Sequence, residues 1–161
     1  MAIKINTEKR IFTLETKHTM YQMQADTYGV LRHLWYGAKT GCDMSYLQDY
    51  PDVGFSGNPH DAGNDRTYSL DTLPLEYAGA GIGDFRVPAV EAVHADGSCA
   101  LDLRYYSHAV KQGKYAIAGL PALYAGEDEA ETLEVVLRDT ASAVEVTLKY
   151  GVLPELDIVT R

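Results

Sequence analysis

Cysteine is scarce: Cys42 and Cys99 stand far apart without a CxxC partner, so neither a disulfide framework nor a zinc site has the ligands it needs. We expect two inert, reduced thiols. No apolar run approaches the roughly 20 residues that cross a bilayer. The start, MAIKINTEKRIFTL, alternates polar and apolar residues where a secretory leader would carry a continuous apolar core. The expected location is therefore cytoplasmic, with no membrane partner. Basic residues are outnumbered, 14 Lys and Arg against 23 Asp and Glu, and the net charge of −9 repels phosphate backbones. Nucleic acid is not an expected partner. GxSxG, HExxH and P-loop spacings are absent too.

Helical periodicity is the other absence. No long segment places apolar residues at i, i+3, i+4 and i+7 between caps; EDEAETLEVV comes nearest but runs straight into alternation. Alternation is what the sequence has instead. In ETLEVVLRD, Leu133, Val135 and Leu137 share a face, and in VEVTLKY so do Val144, Val146, Leu148 and Tyr150. RIFTLE, with Phe12 and Leu14, and HTMYQMQA read the same way. VLRHLWY is apolar on both faces and predicts a central strand. Ala95-Asp96-Gly97-Ser98 separates PAVEAVHA from CALDLRYYSHAV, and a DG pair between alternating segments predicts a hairpin.

With 46% hydrophobic and 23% charged residues, a chain of 161 supports one core, burying roughly 70% of its unfolded surface. The expected fold is all-β, an antiparallel β-sandwich with little helix, forming a single domain over residues 1–161. The last segment, LDIVTR, stops in mid-pattern, so the domain is expected to be incomplete at its C-terminal end. Two long irregular segments, Gly37 to Thr67 and Asp71 to Val87, are where function is expected to concentrate.

Most motifs there have ordinary readings. Gly79, Gly81 and Gly83 of GAGIGD do not match GxGxxG, and Pro88 blocks a following helix. HDAGND, residues 60 to 65, lacks the alternating ligands of a calcium loop and reads as a polar turn. His18, His33, His60, His94 and His108 show no i, i+4 spacing and read as structural or solvated. Asp71, Glu76 and Asp84 could supply a pair of glycosidase carboxylates only at separations that spacing in sequence does not fix.

YSLDTLPLEYAGAGIGDFRVPAV closely resembles the N-terminal domain of glycoside hydrolase family 36, the bacterial α-galactosidases, whose pattern runs SLD, PxEYP and GxGDFRxPA. The likeness continues through DLRYYSHAVKQGK, GLPALY, AETLEVVLRD and VEVTLKYGVLPELDIVTR, and upstream through FSGNP. Two departures stand out: Ala78 replaces the proline after the tyrosine, and Gly57 replaces the proline of FSPNP. The KWD and SCxxGGxR motifs that carry the family's catalytic Asp residues, in a later (β/α)₈ barrel, do not occur.

The resemblance implies a non-catalytic portion of a β-supersandwich, inactive alone. The whole enzyme would release terminal α-galactosyl groups from melibiose and raffinose by the retaining mechanism, without metal or organic cofactor. It implies a homo-oligomer, a tetramer, in which a loop of this domain reaches a neighbouring subunit's active site. Asp52 and Arg66 match the sugar-holding positions of that loop. Asp71, Glu76, Asp84 and Arg86 would form a structural loop, compensating one another's charges and bracing the sandwich against the barrel. The alternative is a free-standing carbohydrate-binding module using exposed aromatics such as Trp35, Tyr46 or Tyr50.

Overall fold

The computed structural model describes residues 1–48 and 58–161. Among the described residues, eight strands form two four-stranded antiparallel meanders. The first holds β1 (Ile3–Asn6), β2 (Ile11–Glu15), β3 (Thr19–Ala25) and β4 (Leu31–Ala38). The second holds β5 (Arg104–Gln112), β6 (Glu131–Arg138), β7 (Glu145–Leu153) and β8 (Ile158–Thr160). Helix is confined, among the described residues, to short 3₁₀ turns. None is long and apolar enough to cross a membrane.

Alternation decides which side chains meet. Phe12, Leu14, Met23, Ala25 and Leu31 of the first sheet pack against Leu133, Val135, Leu137, Leu148, Tyr150 and Val152 of the second, in one continuous core. Thr13, Glu15, Met20 and Gln22 take the opposite face of the first sheet, where Ile11, Met20, Leu34 and Met44 make a smaller cluster capped by Trp35. Glu127–Glu129 gives one 3₁₀ turn before β6, as close as EDEAETLEVV comes to a helix.

Two expectations need correcting. β4 is not central: among the described strands it pairs with β3 alone and lies at the sheet edge. Its second apolar face is used in the outer cluster, where Leu34 and Trp35 pack with Ile11, Met20 and Met44, while residues 74–76 cover its edge. The DG turn forms, with Gly97 at φ 83°, the His94 N–H donating to the Ser98 carbonyl at 2.9 Å and the Gly97 N–H to His94 at 2.9 Å. No strand pair flanks it. Val90 and Ala92 do pack on the core, so the alternation was real. Their backbone, however, bonds the 78–80 loop, through Ala89 N–H to Ala78 and Ala80 N–H to Val90. Pro88 removes a ladder donor at the start of this segment. Among the described residues, only short 3₁₀ turns and no strand lie between β4 and β5.

Candidate functional site

Asp71, Glu76, Asp84 and Arg86 lie on the later part of the connection between β4 and β5, which packs on the sheets. Along the outer edge of β4 the His33 N–H donates to the Pro74 carbonyl at 2.8 Å and the Glu76 N–H to Leu31 at 2.9 Å. Pro74 costs no ladder bond there because it offers only its carbonyl. This short pairing turns Glu76 inward, leaving it 6% exposed between the two sheets.

There Glu76 is held from both sides. Tyr21 Oη of β3 donates at 2.7 Å to either carboxylate oxygen, and Tyr150 Oη of β7 donates to Oε1 at 2.7 Å. His33 Nδ1 stands 3.3 Å from Oε2, and Arg161 Nη1 donates to Oε1 at 3.3 Å. A β-bulge between Gln22 and Met23 lets His33 and Tyr36, which are three apart and would otherwise face opposite ways, both reach the Tyr21 ring. Burial pushes the Glu76 carboxyl up, but hydrogen bonds from His33, Tyr21 and Tyr150 and the Arg161 charge outweigh it and hold it below its ordinary range. Burial, reinforced by that carboxylate, drives both tyrosine hydroxyls far above theirs.

The second cluster sits on the same connection. Arg86 grips Asp84 through Nε at 2.8 Å and Nη2 at 2.9 Å, and its Nη2 also donates to the Leu70 and Leu73 carbonyls at 2.9 and 2.7 Å. GDFR is thereby stitched to SLDTL. Burial raises the Asp84 carboxyl, yet its hydrogen bonds from Arg86 prevail and it lies below the usual value. Ser69 Oγ donates to Asp71. Asp84 is thus paired with Arg86, whereas Glu76 and Asp71 are bonded by other residues. Gly79 permits a backbone approach that side chains forbid: a Cβ there would lie 2.1 Å from the Leu101 carbonyl oxygen. Phe85 and Val87, flanking the anchored Arg86, stay 84% and 94% exposed.

In the turn between β3 and β4, Asp26 accepts from the Tyr28 and Val30 N–H groups and, at 2.5 Å, from Tyr68 Oη of the connection. Burial, with the Asp26 carboxylate beside it, pushes the Tyr68 hydroxyl far up. Arg104 bonds the Tyr28 carbonyl at 3.0 Å and Asp102 at 2.6 Å. HDAGND forms the polar turn expected of it, a 3₁₀ turn over His60–Ala62 closed by Gly63 at φ 58°. Asp65 then organises the next bend by accepting from both the Thr67 hydroxyl and its N–H. Arg66 is exposed on that bend. Asp52 and Tyr50 lie outside the described residues. Trp35 is half-buried against the outer-face cluster, with its Nε1 donating to Ala38 at 3.3 Å, while Tyr46 is exposed. Cys42 and Cys99 are free and exposed.

One more junction ties the sheets. Asp157, in left-handed conformation at φ 55°, accepts from Thr16 Oγ1 at 2.8 Å and the His18 N–H at 2.7 Å, with His18 Nδ1 2.6 Å from its other oxygen. The His18 ring and N–H and the Thr16 hydroxyl hold its carboxyl far below the ordinary range. A depressed carboxyl stabilises fully above its unfolded pKa of about 4, and the contribution fades as pH falls toward the folded value. Asp157→Asn, which keeps a residue that tolerates positive φ, is expected to lower the urea midpoint at neutral pH. The gap to the parent should close on acidification, and a gap constant from pH 7 downward would remove the clasp's ionic basis.

Neither Glu76 nor Asp84 suits the acid member of a glycosidase pair, which needs a raised pKa to be protonated at work. Both are held ionised by several donors. Sequence reasoning missed Tyr21, His33 and Arg161 as partners of Glu76, although Tyr150 was legible on the apolar face of β7, and a core-facing hydroxyl demands a partner.

The profile described as "Glycosyl hydrolase family 36 N-terminal domain" matches residues 29–161. The bifunctional α-galactosidase/sucrose kinase AgaSK of Mediterraneibacter gnavus is 53% identical over 161 residues, all of this chain but 17% of its own length. α-Galactosidase AgaA of Geobacillus stearothermophilus is 40% identical, again over the whole of this chain and 22% of its own. The solved galactosidase domain of AgaSK superposes with a TM-score of 0.95 at 52% identity, over 98% of this chain and 22% of that one. The AgaA complex with raffinose superposes with a TM-score of 0.81 at 38% identity, over 90% of this chain and 20% of that one. The chain thus spans about a fifth of these relatives' length. With that profile matching most of its length, the chain belongs to the glycoside hydrolase family 36 N-terminal domains.

Proposed function

We propose that the chain serves an α-galactosidase as its non-catalytic N-terminal domain, in an enzyme that removes terminal α-galactosyl groups from melibiose- and raffinose-type sugars. One observation carries this reading: it aligns along its whole length with α-galactosidases of which it covers only 17 to 22%, and it lacks the KWD and SCxxGGxR motifs. Its work is to support the barrel and the homo-oligomer. In favour is the clasp at Asp84 and Arg86, which presents Phe85 and Val87 outward on an anchored turn. Apolar side chains held rigidly in solvent cost little further ordering when a partner surface covers them.

Arg66, with Asp52, contributes to sugar binding in a neighbouring subunit. The exposure of Arg66 on an acid-organised bend is compatible with that role. The purified chain is expected not to cleave p-nitrophenyl α-galactoside, and cleavage at enzymatic rates would overturn the scaffold reading. Within a full-length enzyme carrying this domain, Arg66→Ala and Asp52→Ala are each expected to lower kcat/KM for raffinose about tenfold or more, the value of one charge-assisted hydrogen bond. Unchanged kcat/KM would remove them from the site.

A further inference from the structure

The outer face of the first sheet carries a groove that scaffolding leaves unexplained. It is lined by Lys4 and Asn6 of β1, Thr13 and Glu15 of β2, Gln22 of β3 and Gly41–Asp43 of the loop after β4, and encloses about 200 Å³. Its loop wall is fixed in place. Gln22 Oε1 accepts from the Met44 N–H at 2.8 Å, while its Nε2 donates to Thr13 Oγ1 at 2.9 Å and the Cys42 carbonyl at 3.3 Å. Met44 is buried, and Lys9 Nζ pins Asp43 at 2.8 Å. Such pinning pre-organises a wall, which lowers the cost of binding.

The charged groups that line it, Lys4, Glu15 and Asp43, are all held in ion pairs. Lys4 and Lys39 both contact Glu15, at 2.9 and 2.8 Å, and Lys9 contacts Asp43. An anion would meet Glu15 and Asp43 and a cation would meet the lysines, so neither is favoured. Valence is nonetheless left over. Each ammonium has three donors and each carboxylate about four lone-pair sites, beside the amide of Asn6 and the hydroxyl of Thr13. Clustered hydroxyl groups, each both donor and acceptor, complement such a mixture without displacing any ion pair. The volume lies below the roughly 300 Å³ at which pockets for drug-sized ligands begin, which leaves room for a single small ring.

We propose that this groove is a binding site for one neutral pyranose ring, formed by Lys4, Asn6, Thr13, Glu15, Gln22 and Asp43. The ligand class follows from the ion pairing and size of the groove, so it stands or falls separately from the α-galactosidase reading. The test is a ¹H–¹⁵N shift titration of the 161-residue chain with galactose, glucose and melibiose, with glycerol and inorganic phosphate as comparisons. Saturable shifts with millimolar Kd are expected at the amides of Lys4, Asn6, Thr13, Glu15, Gln22 and Gly41–Asp43. Lys4→Ala and Asn6→Ala, both on exposed positions of the short edge strand, should leave the remaining spectrum intact. At least one of them should weaken binding about tenfold, the effect of one lost charge-assisted or amide hydrogen bond. The proposal is overturned by shifts that do not saturate, by saturable shifts mapping elsewhere, by equal response to glycerol or phosphate, or by both variants binding like the parent.

Discussion

Replacing Glu76 by alanine is expected to destabilise the domain by about 3–5 kcal/mol, the usual cost of breaking a buried, hydrogen-bonded charge network from one side. The magnitude follows from what would be left behind. Tyr21 and Tyr150 both point their hydroxyls at this carboxylate from opposite sheets, at 2.7 Å, and each would lose its acceptor in a site closed to water. A buried hydroxyl without a partner costs about 1–3 kcal/mol. Arg161 would lose its counter-charge and His33 a polar partner. For a domain of this size the melting temperature should fall by about 10 °C. Glu76→Gln keeps the shape and an acceptor oxygen and should cost less, and Tyr150→Phe, which removes one donor, less again. Urea unfolding of the three variants checks the order. If Glu76→Ala lowers the midpoint no more than Tyr150→Phe, the carboxylate does not join the sheets as described. Its depressed pKa also makes the contribution acid-sensitive: present above the ordinary carboxylate range and lost as pH falls below it.

Gly79→Ala is expected to cost about 3 kcal/mol, at the upper end for overpacking, because nothing nearby yields cheaply. The added Cβ would fall 2.1 Å from the Leu101 carbonyl oxygen and 3.3 Å from the Leu101 Cβ. Leu101 is fully buried in the core and donates its N–H to Ala80 at 2.9 Å. Relieving the clash therefore moves backbone that holds the long connection down. Two other glycines provide the contrast. At Gly97 a Cβ meets nothing, so alanine bears only the strain of φ 83°, about 1–2 kcal/mol. At Gly151 the nearest atoms belong to the flexible end of Lys114 and to Thr160 Oγ1, which can move aside. Unfolding midpoints should rank Gly79→Ala as the most damaging of the three. Equal midpoints for Gly79→Ala and Gly97→Ala would mean that the approach to Leu101 is not tight in solution.

The glycine comparison shows what a spacing motif can conceal. Gly79, Gly81 and Gly83 are easily mistaken for a nucleotide loop, but the need that Gly79 and Gly81 meet is packing against the residues before β5. Gly81 adopts φ 75°, with a Cβ position 3.0 Å from the Ala100 Cα. Which distant backbone approaches a glycine is a tertiary fact, and local composition does not contain it.

Alternation alone determined the all-β class, most of the strands, and the inward set Phe12, Leu14, Leu133, Val135, Leu137, Leu148 and Tyr150, because side-chain direction has period two wherever backbone is extended. The motif string alone pointed to the family. What only the tertiary structure decided is partnership. β4 is an edge covered by residues 74–76, Val90 and Ala92 face the core without a ladder, and Glu76 finds tyrosines 55 and 74 positions away in sequence. The reason is range: a strand's own residues set its faces, whereas hydrogen-bond and ion-pair partners are set by loop closure over distances that no local pattern encodes.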